Sequence, residues 1–236
     1  PQLIKQKNAE QEMKEKQIYI PTKNAKSWKS LLADPVRHWR TGDSAKSVAK
    51  SWERSKGLPK EILSGLQKAE DTKDAELLIA LPEFKVHLPG GNRASQNDVF
   101  AVTTNERGLT AIAVEAKARE DFDKTMATWM QNASERKLQR LAFILDKILF
   151  PTEALEELRY QLFHRLASSV IMAEKFHAKN AMMIVQSFVE SDEENHYADF
   201  ERFVSAYTVG CLKNEPILLI QNEHINIYAM WIYSAL

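Results

Sequence analysis

The chain has 236 residues, of which 44% are hydrophobic, and it carries equal numbers of basic and acidic side chains (32 Lys plus Arg, 32 Asp plus Glu). This length and apolar content predict one folded domain and exclude a disordered or low-complexity chain. The single cysteine, Cys211, excludes an internal disulfide bond and a thiolate zinc site.

Charge is unevenly distributed along the chain. Residues 1–60 carry 14 Lys/Arg and 6 Asp/Glu, a net charge of +8, so the remaining residues carry −8. The asymmetry is compatible with a basic surface that binds nucleic acid, and equally with a solvated, lysine-rich helical surface. The apolar stretches are too short to span a membrane, and the polar start of the chain lacks the pattern of a secretory signal. We therefore expect a cytoplasmic protein without a membrane partner.

The sequence predicts an N-terminal helical elaboration over residues 1–43 and a domain over residues 44–236, together forming one compact unit. A capping signal at the start of the second segment begins a helix that ends at Gly57, where a left-handed residue is wanted. Pro59 then begins a second helix.

Three strands are predicted to follow in hairpin succession. The first lies within residues 77–88, the second begins at Asp98, and the third spans residues 109–118. Pro-Gly-Gly-Asn at residues 89–92 and the polar residues 105–108 provide the two turns. The pattern therefore predicts an antiparallel meander.

The remaining sequence is mainly helical in pattern, with three further strands. The predicted helices are 122–132, 135–149, a long helix from Pro151 to residues 176–178, and 197–209. The predicted strands are 181–189 and a terminal pair, 217–221 and 225–233. This order of elements indicates an α/β or α+β architecture around one sheet.

Two carboxylates and a lysine are expected to meet in the meander. Asp98 begins one strand, and Glu115 and Lys117 share a face of the next strand, because successive side chains alternate. The intervening hairpin brings Asp98 beside Glu115. Paired carboxylates are ligands that Mg²⁺ prefers, and the Ala116 carbonyl can add a third oxygen. Lys117 can then position or activate a water, whereas the alternative is an ordinary exposed pair on an amphipathic strand.

These residues carry a resemblance. Asn97-Asp98 with Glu115-Ala116-Lys117 resembles the D…E-x-K core of the PD-(D/E)XK nuclease superfamily, with Asn97 in place of the proline of that pattern. A closer similarity, to an uncharacterised bacterial family assigned to this superfamily, covers most of residues 28–233. It rests on Ser44-Ala45-Lys46, Leu81-Pro82-Glu83-Phe84-Lys85, Leu88-Pro89-Gly90-Gly91, Ala94-Ser95-Gln96-Asn97-Asp98 and Arg159-Tyr160-Gln161-Leu162-Phe163-His164-Arg165.

The resemblance implies a restriction-endonuclease-like αβββαβ core, with a central mixed sheet flanked by helices. It also implies that Asp98 and Glu115 bind Mg²⁺, or Mn²⁺ in its place, and that Lys117 assists hydrolysis of a phosphodiester, in DNA ahead of RNA. A further acidic ligand is usual in the superfamily. Glu83 is the main candidate, Glu53 and Glu76 are weaker ones, and each has the alternative of a surface carboxylate.

The predicted long helix provides candidate substrate-binding residues. Gln161 lies three and four residues before His164 and Arg165, so these side chains can share a face, and Arg159 lies just before them. They are expected to contact phosphate or bases. The alternative is a hydrogen-bonded cluster between helix and sheet, which is favoured for His164.

The sequence therefore predicts a Mg²⁺-dependent nuclease that acts on DNA. The main alternative is a catalytically silent module of the same fold that binds nucleic acid or a protein. A homodimer is a further expectation, since cleavage of both DNA strands usually requires two active sites.

Overall fold

The structure is a computed structural model that describes residues 22–91, 93–152, 154–188 and 193–235. The predicted N-terminal elaboration therefore lies partly outside the described residues. Within the described ranges the strands are β1 (Glu76–Val86), β2 (Ser95–Asn105), β3 (Gly108–Lys117), β4 (Asn180–Ser187), β5 (Ile217–Ile220) and β6 (Asn226–Tyr233). The helices are a 3₁₀ helix (Ala25–Leu31), α1 (Ser44–Ser55), α2 (Lys60–Leu66), α3 (Met126–Met130), α4 (Glu135–Lys147), α5 (Tyr160–Phe176) and α6 (Glu193–Val204).

One mixed sheet organises the fold, with the strand order β1-β2-β3-β4-β6-β5. Strands β1, β2 and β3 form the predicted antiparallel meander, β4 runs parallel to β3, and β6 runs parallel to β4. The terminal strands β5 and β6 pair with each other, as predicted, and they run antiparallel. The expected α/β (α+β) class, a central mixed sheet flanked by helices, is thereby confirmed.

Both faces of the sheet are covered, which explains why the central strands are nearly continuous apolar runs. One face packs against α5 through side chains such as Phe100, Ala111 and Phe163. The opposite face packs against α1 and α2 through side chains such as Val114 and Trp52. In β3, every residue from position 110 to position 117 is buried. Charged residues in this strand therefore need partners.

The register of the meander fixes where the polar residues of β2 and β3 lie. The pairing between β2 and β3 ends with Val99 opposite Val114. The next residues on the two strands, Asp98 and Glu115, therefore lie side by side. Phe100 packs on the α5 face, and alternation places Asp98, two residues earlier, on the same face. Both carboxylates therefore face α5.

The predicted long helix from Pro151 was wrong, because α5 begins only at Tyr160. The residues before it pair with the segment before α3 instead. The Tyr160 amide donates to the Lys124 carbonyl at 3.1 Å, and the Met126 amide donates to the Leu158 carbonyl at 2.7 Å. These tertiary hydrogen bonds hold residues 154–159 in a turn followed by a β-bridge, where local propensity alone favours a helix.

Other helix boundaries also differ from the prediction. The left-handed residue that ends α1 is Lys56, with φ of 53°, rather than Gly57. The helix predicted over residues 122–132 is confined to α3, and the one predicted over 197–209 is displaced toward the N-terminus as α6. Among the described helices, none has the length and apolar character needed to cross a bilayer.

Candidate active site

The predicted catalytic residues line one pocket on the α5 face of the sheet. Asp98, Glu115 and Lys117 border a cavity of about 780 Å³, together with Glu83 from β1 and Gln161 from α5. The meander supplies the carboxylates and the ammonium group of Lys117. The crossover helix α5, which connects β3 to β4, supplies the amide of Gln161. The arrangement depends on the antiparallel register of β2 and β3 and on the packing of α5 above them.

Asp98 lies where the ladder between β2 and β3 ends. Its Oδ2 accepts a hydrogen bond from the amide nitrogen of Ala116 at 2.7 Å. Burial, together with the neighbouring negative charges of Glu115 and Glu83, raises the pKa of Asp98 well above its usual value. The structure thus places Asp98 beside Glu115, where its ionised form is disfavoured without a cation.

Glu115 is 3% exposed and is held by three side chains. Its Oε1 accepts from Lys117 Nζ at 2.9 Å and from Gln161 Nε2 at 2.6 Å, and its Oε2 accepts from Arg165 Nε. Burial opposes ionisation, but the charges of Arg165 and Lys117 outweigh it, so the pKa of Glu115 is lowered. Glu115 is therefore an ionised carboxylate at neutral pH.

Lys117 is also 3% exposed, and its ammonium group has a fixed position. Besides Glu115, Nζ donates to Gln161 Oε1 at 3.0 Å. It lies 4.8 Å from the centre of the Phe122 ring, where a cation is stabilised by the aromatic face. Lys117 thus lies between the pocket and the face of α5 that packs against the sheet.

Glu83 is the additional acidic candidate that lies in the pocket. Its Oε2 accepts from Gln96 Nε2 at 2.7 Å, and burial raises its pKa to about 7. Its backbone φ of 52° lies in the left-handed region, which is costly for a residue with a side chain. Glu53 instead accepts from Trp28 Nε1 at 2.8 Å and does not line the pocket. Glu76 lies at the far end of β1, opposite Thr104.

The pocket also has a basic border. Arg37 and Arg40, from the segment between the 3₁₀ helix and α1, line it together with Arg119, which follows β3. The N-terminal charge excess thus contributes two arginines to the pocket. Arg119 was missed in the sequence, although its place two residues after Lys117 was the available signal. Four further carboxylates share the lining: Asp43, Glu120, Asp121 and Asp123.

The candidates on α5 are divided between two locations. Gln161 and Arg165 reach the pocket through Glu115, as described above. Arg159 does not line the pocket: its Nε forms an ion pair with Asp199 Oδ2 at 2.8 Å, and its Nη1 donates to the Asp123 carbonyl at 3.3 Å. His164 Nδ1 lies 2.9 Å from Ser95 Oγ, within a hydrogen-bonded cluster between helix and sheet. Burial and then the charge of Arg165 lower the pKa of His164 well below its usual value, so the ring is neutral.

Comparison with known families gives one match. A family described as a domain of unknown function, DUF6946, matches residues 21–235, so the chain belongs to that family. The match includes residues 21–43 of the predicted N-terminal elaboration, and with them the two arginines of the pocket border. No curated protein and no solved structure matches the chain.

Proposed function

We propose that this protein is a metal-dependent nuclease that hydrolyses phosphodiester bonds in DNA. The proposal depends on one observation, the convergence of Asp98, Glu115 and Lys117 in a single pocket bordered by Arg37 and Arg40. Carboxylates, a fixed ammonium group and guanidinium groups together match the needs of phosphodiester hydrolysis, in which negative charge must be bound and a water must be oriented.

The donor set fits a hard divalent cation. Asp98 and Glu115 offer adjacent carboxylate oxygens, and Mg²⁺ is often held by only one or two carboxylates with waters and substrate phosphate. Among the described residues, only one oxygen of Asp98 has a hydrogen-bond partner, so the other can accept a ligand. The same part of the chain contains no group of three His, Cys, Asp or Glu residues arranged to hold a metal. The proposed site therefore has two protein carboxylates, and Glu83, which lines the same pocket, would join them only after a shift of its side chain.

Backbone geometry supports the proposed third oxygen. The amide of Ala116 points toward Asp98, and the N–H and C=O groups of one residue in an extended strand point to the same side. The Ala116 carbonyl therefore faces the β2 side, as the proposed ligand requires.

The side chains can perform the reaction as follows. When bound, Mg²⁺ would polarise the scissile phosphate and lower the pKa of a water. Lys117 would orient the attacking water and offset negative charge on the phosphate, while Gln161 holds the lysine in place. Arg37 and Arg40 would bind flanking phosphates.

The order of elements also supports membership in the PD-(D/E)XK superfamily. The expected αβββαβ order is reproduced by a helical segment, a three-stranded meander, a crossover helix and a parallel strand. We propose DNA ahead of RNA as the substrate, the cytoplasm as the compartment, and a homodimer where both strands are cut.

One observation favours the alternative of a catalytically silent binding module. Both oxygens of Glu115 already accept hydrogen bonds from Lys117, Gln161 and Arg165. These three hydrogen bonds leave about one lone pair, on Oε2, so a metal at Glu115 would bind beside the Arg165 guanidinium or displace one of the donors. A protein that had lost catalysis could retain this closed network as a purely structural ion-pair cluster.

Cleavage of plasmid and linear DNA, with Mg²⁺ or Mn²⁺ and with chelator, tests the proposal. The wild type should cut only with metal, and Lys117→Ala and Lys117→Met should abolish cutting while circular dichroism shows a folded chain. Lys50→Ala is the matched control, because Lys50 is exposed on α1 and outside the pocket. DNA binding without cleavage by the wild type would favour the silent module. Equal cleavage by the wild type and both Lys117 variants would indicate a contaminating nuclease.

A further inference from the structure

A second, smaller pocket adjoins the candidate active site. Its volume is about 260 Å³, and Asp123 lines both cavities. It lies between the turn after β1, the start of β2 and the first turns of α5. Its lining includes Arg93, Ser95, Trp129, Arg140, Tyr160 and His164.

The hydroxyl hydrogen of Tyr160 has no acceptor among the described residues around this pocket. The residue is 6% exposed, and within the described part of the chain the hydroxyl oxygen has no hydrogen-bond partner. Burial raises the pKa of Tyr160, and the nearby Arg140 guanidinium acts against this rise. Arginine has no acceptor atom, so Arg140 cannot accept the hydroxyl hydrogen. A buried hydroxyl of this kind requires an acceptor, which the described side chains do not provide.

His164 offers a second hydrogen-bond donor on the same face of α5. It lies one turn after Tyr160, with 4.9 Å between the ring centres. Its Nδ1 lies 2.9 Å from Ser95 Oγ and 3.3 Å from Arg165 Nη1, and an arginine nitrogen can only donate. The neutral ring therefore carries its hydrogen on Nε2, which has no recorded partner among the described residues.

Two guanidinium groups give the pocket positive charge. Arg140 is held rigidly by backbone carbonyls, at 3.0 Å from Pro89, 3.3 Å from Leu88 and 2.6 Å from Arg93. Among the described residues these bonds use Nε and Nη2 and none uses Nη1, which can therefore donate to a ligand. The Arg93 side chain is exposed at the entrance.

We propose that this pocket binds a phosphate group. The hydroxyl, the Nε2 hydrogen and the guanidinium groups are all donors, and the unprotonated oxygens of a phosphate group are acceptors. The cavity is smaller than the range of about 300 to 1,000 Å³ typical of sites for drug-sized ligands, which suits a single oxyanion. The exposed carboxylate of Asp123 opposes the anion.

The source of the phosphate rests on the proposed function. Because the two pockets share Asp123, a strand bound in the candidate active site could place a second of its phosphates in the smaller pocket. Binding at this second position would fix the strand while the neighbouring bond is hydrolysed. The anion site itself does not depend on catalysis.

Tryptophan fluorescence can test the proposal, since Trp129 stacks on Tyr160 with 4.0 Å between the ring centres. The intact chain would be titrated in chelator, where no cleavage occurs, with inorganic phosphate and with a short single-stranded oligonucleotide. Trp129→Phe should remove the signal. Tyr160→Phe should weaken phosphate binding about tenfold or more, since hydrogen bonds to charged groups are among the stronger ones. Asp123→Asn should tighten it.

Tyr207→Phe is the matched control, because its hydroxyl donates to the Ile148 carbonyl at 3.0 Å, away from the pocket. Phosphate binding should be unchanged in this variant, while its thermal midpoint falls. The thermal midpoint of the Tyr160→Phe variant should not fall, since the hydroxyl that is removed has no acceptor among the described residues of the folded protein. Equal phosphate affinity in wild type and Tyr160→Phe would overturn the proposal.

The oligonucleotide identifies the source of the phosphate. Tighter binding of the strand than of inorganic phosphate, with the same dependence on Tyr160, would support a strand phosphate. Strand binding that is insensitive to Tyr160→Phe would overturn that source while the inorganic-phosphate result stands. Both results are independent of whether the protein cleaves DNA with Mg²⁺.

Discussion

Replacing Glu83 by Gln should stabilise the metal-free protein at alkaline pH. Burial raises the pKa of Glu83 to about 7, from an ordinary value of 4.5. Between these two pH values the folded state binds more protons than the unfolded state, so the folded state loses stability as the pH rises. Above pH 7 the loss is complete. Glutamine cannot ionise, and its side-chain oxygen can still accept the hydrogen bond from Gln96.

The expected magnitude follows from the two pKa values. Each pKa unit corresponds to about 1.36 kcal/mol, so the full difference amounts to about 3 kcal/mol. Glu83→Gln should therefore raise the free energy of unfolding by up to about 3 kcal/mol at pH 8 and leave it nearly unchanged at pH 4.5. Asp98 is a neighbouring carboxylate whose pKa is also raised. Part of the gain in the free energy of unfolding therefore belongs to the pair rather than to Glu83 alone.

Urea denaturation in chelator at the two pH values measures this difference. Glu76→Gln is the matched control, since Glu76 is exposed on the same strand and its replacement should change stability by less than about 0.5 kcal/mol. Addition of Mg²⁺ at pH 8 should narrow the gap, because a bound cation offsets the charge that destabilises the wild type. A variant that is less stable at pH 8, or a gain that is equal at both pH values, would refute the reasoning.

Three further outcomes are expected. Gly90→Ala should destabilise the fold by about 2 to 4 kcal/mol in thermal or urea denaturation, since φ is +74° and an added Cβ would collide with the α4 backbone; a neutral effect would contradict this packing. Arg165→Met should cost about 3 to 5 kcal/mol at pH 7 and less near pH 4, where the Glu115 it leaves behind becomes protonated; an equal loss at both pH values would argue against the pairing. Reversal of Arg37 and Arg40 to Glu should flatten the slope of log DNA affinity against log salt by about 1.8, measured by fluorescence anisotropy; an unchanged slope would show that these arginines do not contact phosphate.

The geometry of the meander was predictable because it depends on short-range rules. Alternation along a strand puts Glu115 and Lys117 on one face, and a hairpin of known turn length places Asp98 beside them. The partners of Glu115 were only partly predictable. Gln161 and Arg165 share a helix face by their spacing, but their contact with Glu115 depends on how the crossover helix packs on the sheet.

Features that depend on distant segments were not predictable from the sequence. Arg140 donates hydrogen bonds to the turn after β1, about fifty positions earlier in the chain, and no local sequence pattern indicates this contact. The start of α5 was misplaced for a similar reason, because the preceding residues form a β-bridge, Thr125 with Arg159. The lack of an acceptor for the Tyr160 hydroxyl among the described residues follows from that packing as well.

A single arginine connects the two pockets. Arg165 donates through Nε to Glu115 in the candidate active site and through Nη1 to Ser95, at 2.9 Å, on the border of the second pocket. Free-energy changes measured for substitutions on the two sides will therefore not simply add, since each variant alters the guanidinium that the other contacts. A complete double-mutant cycle across Arg165, rather than two separate alanine scans, is the appropriate way to separate their energies.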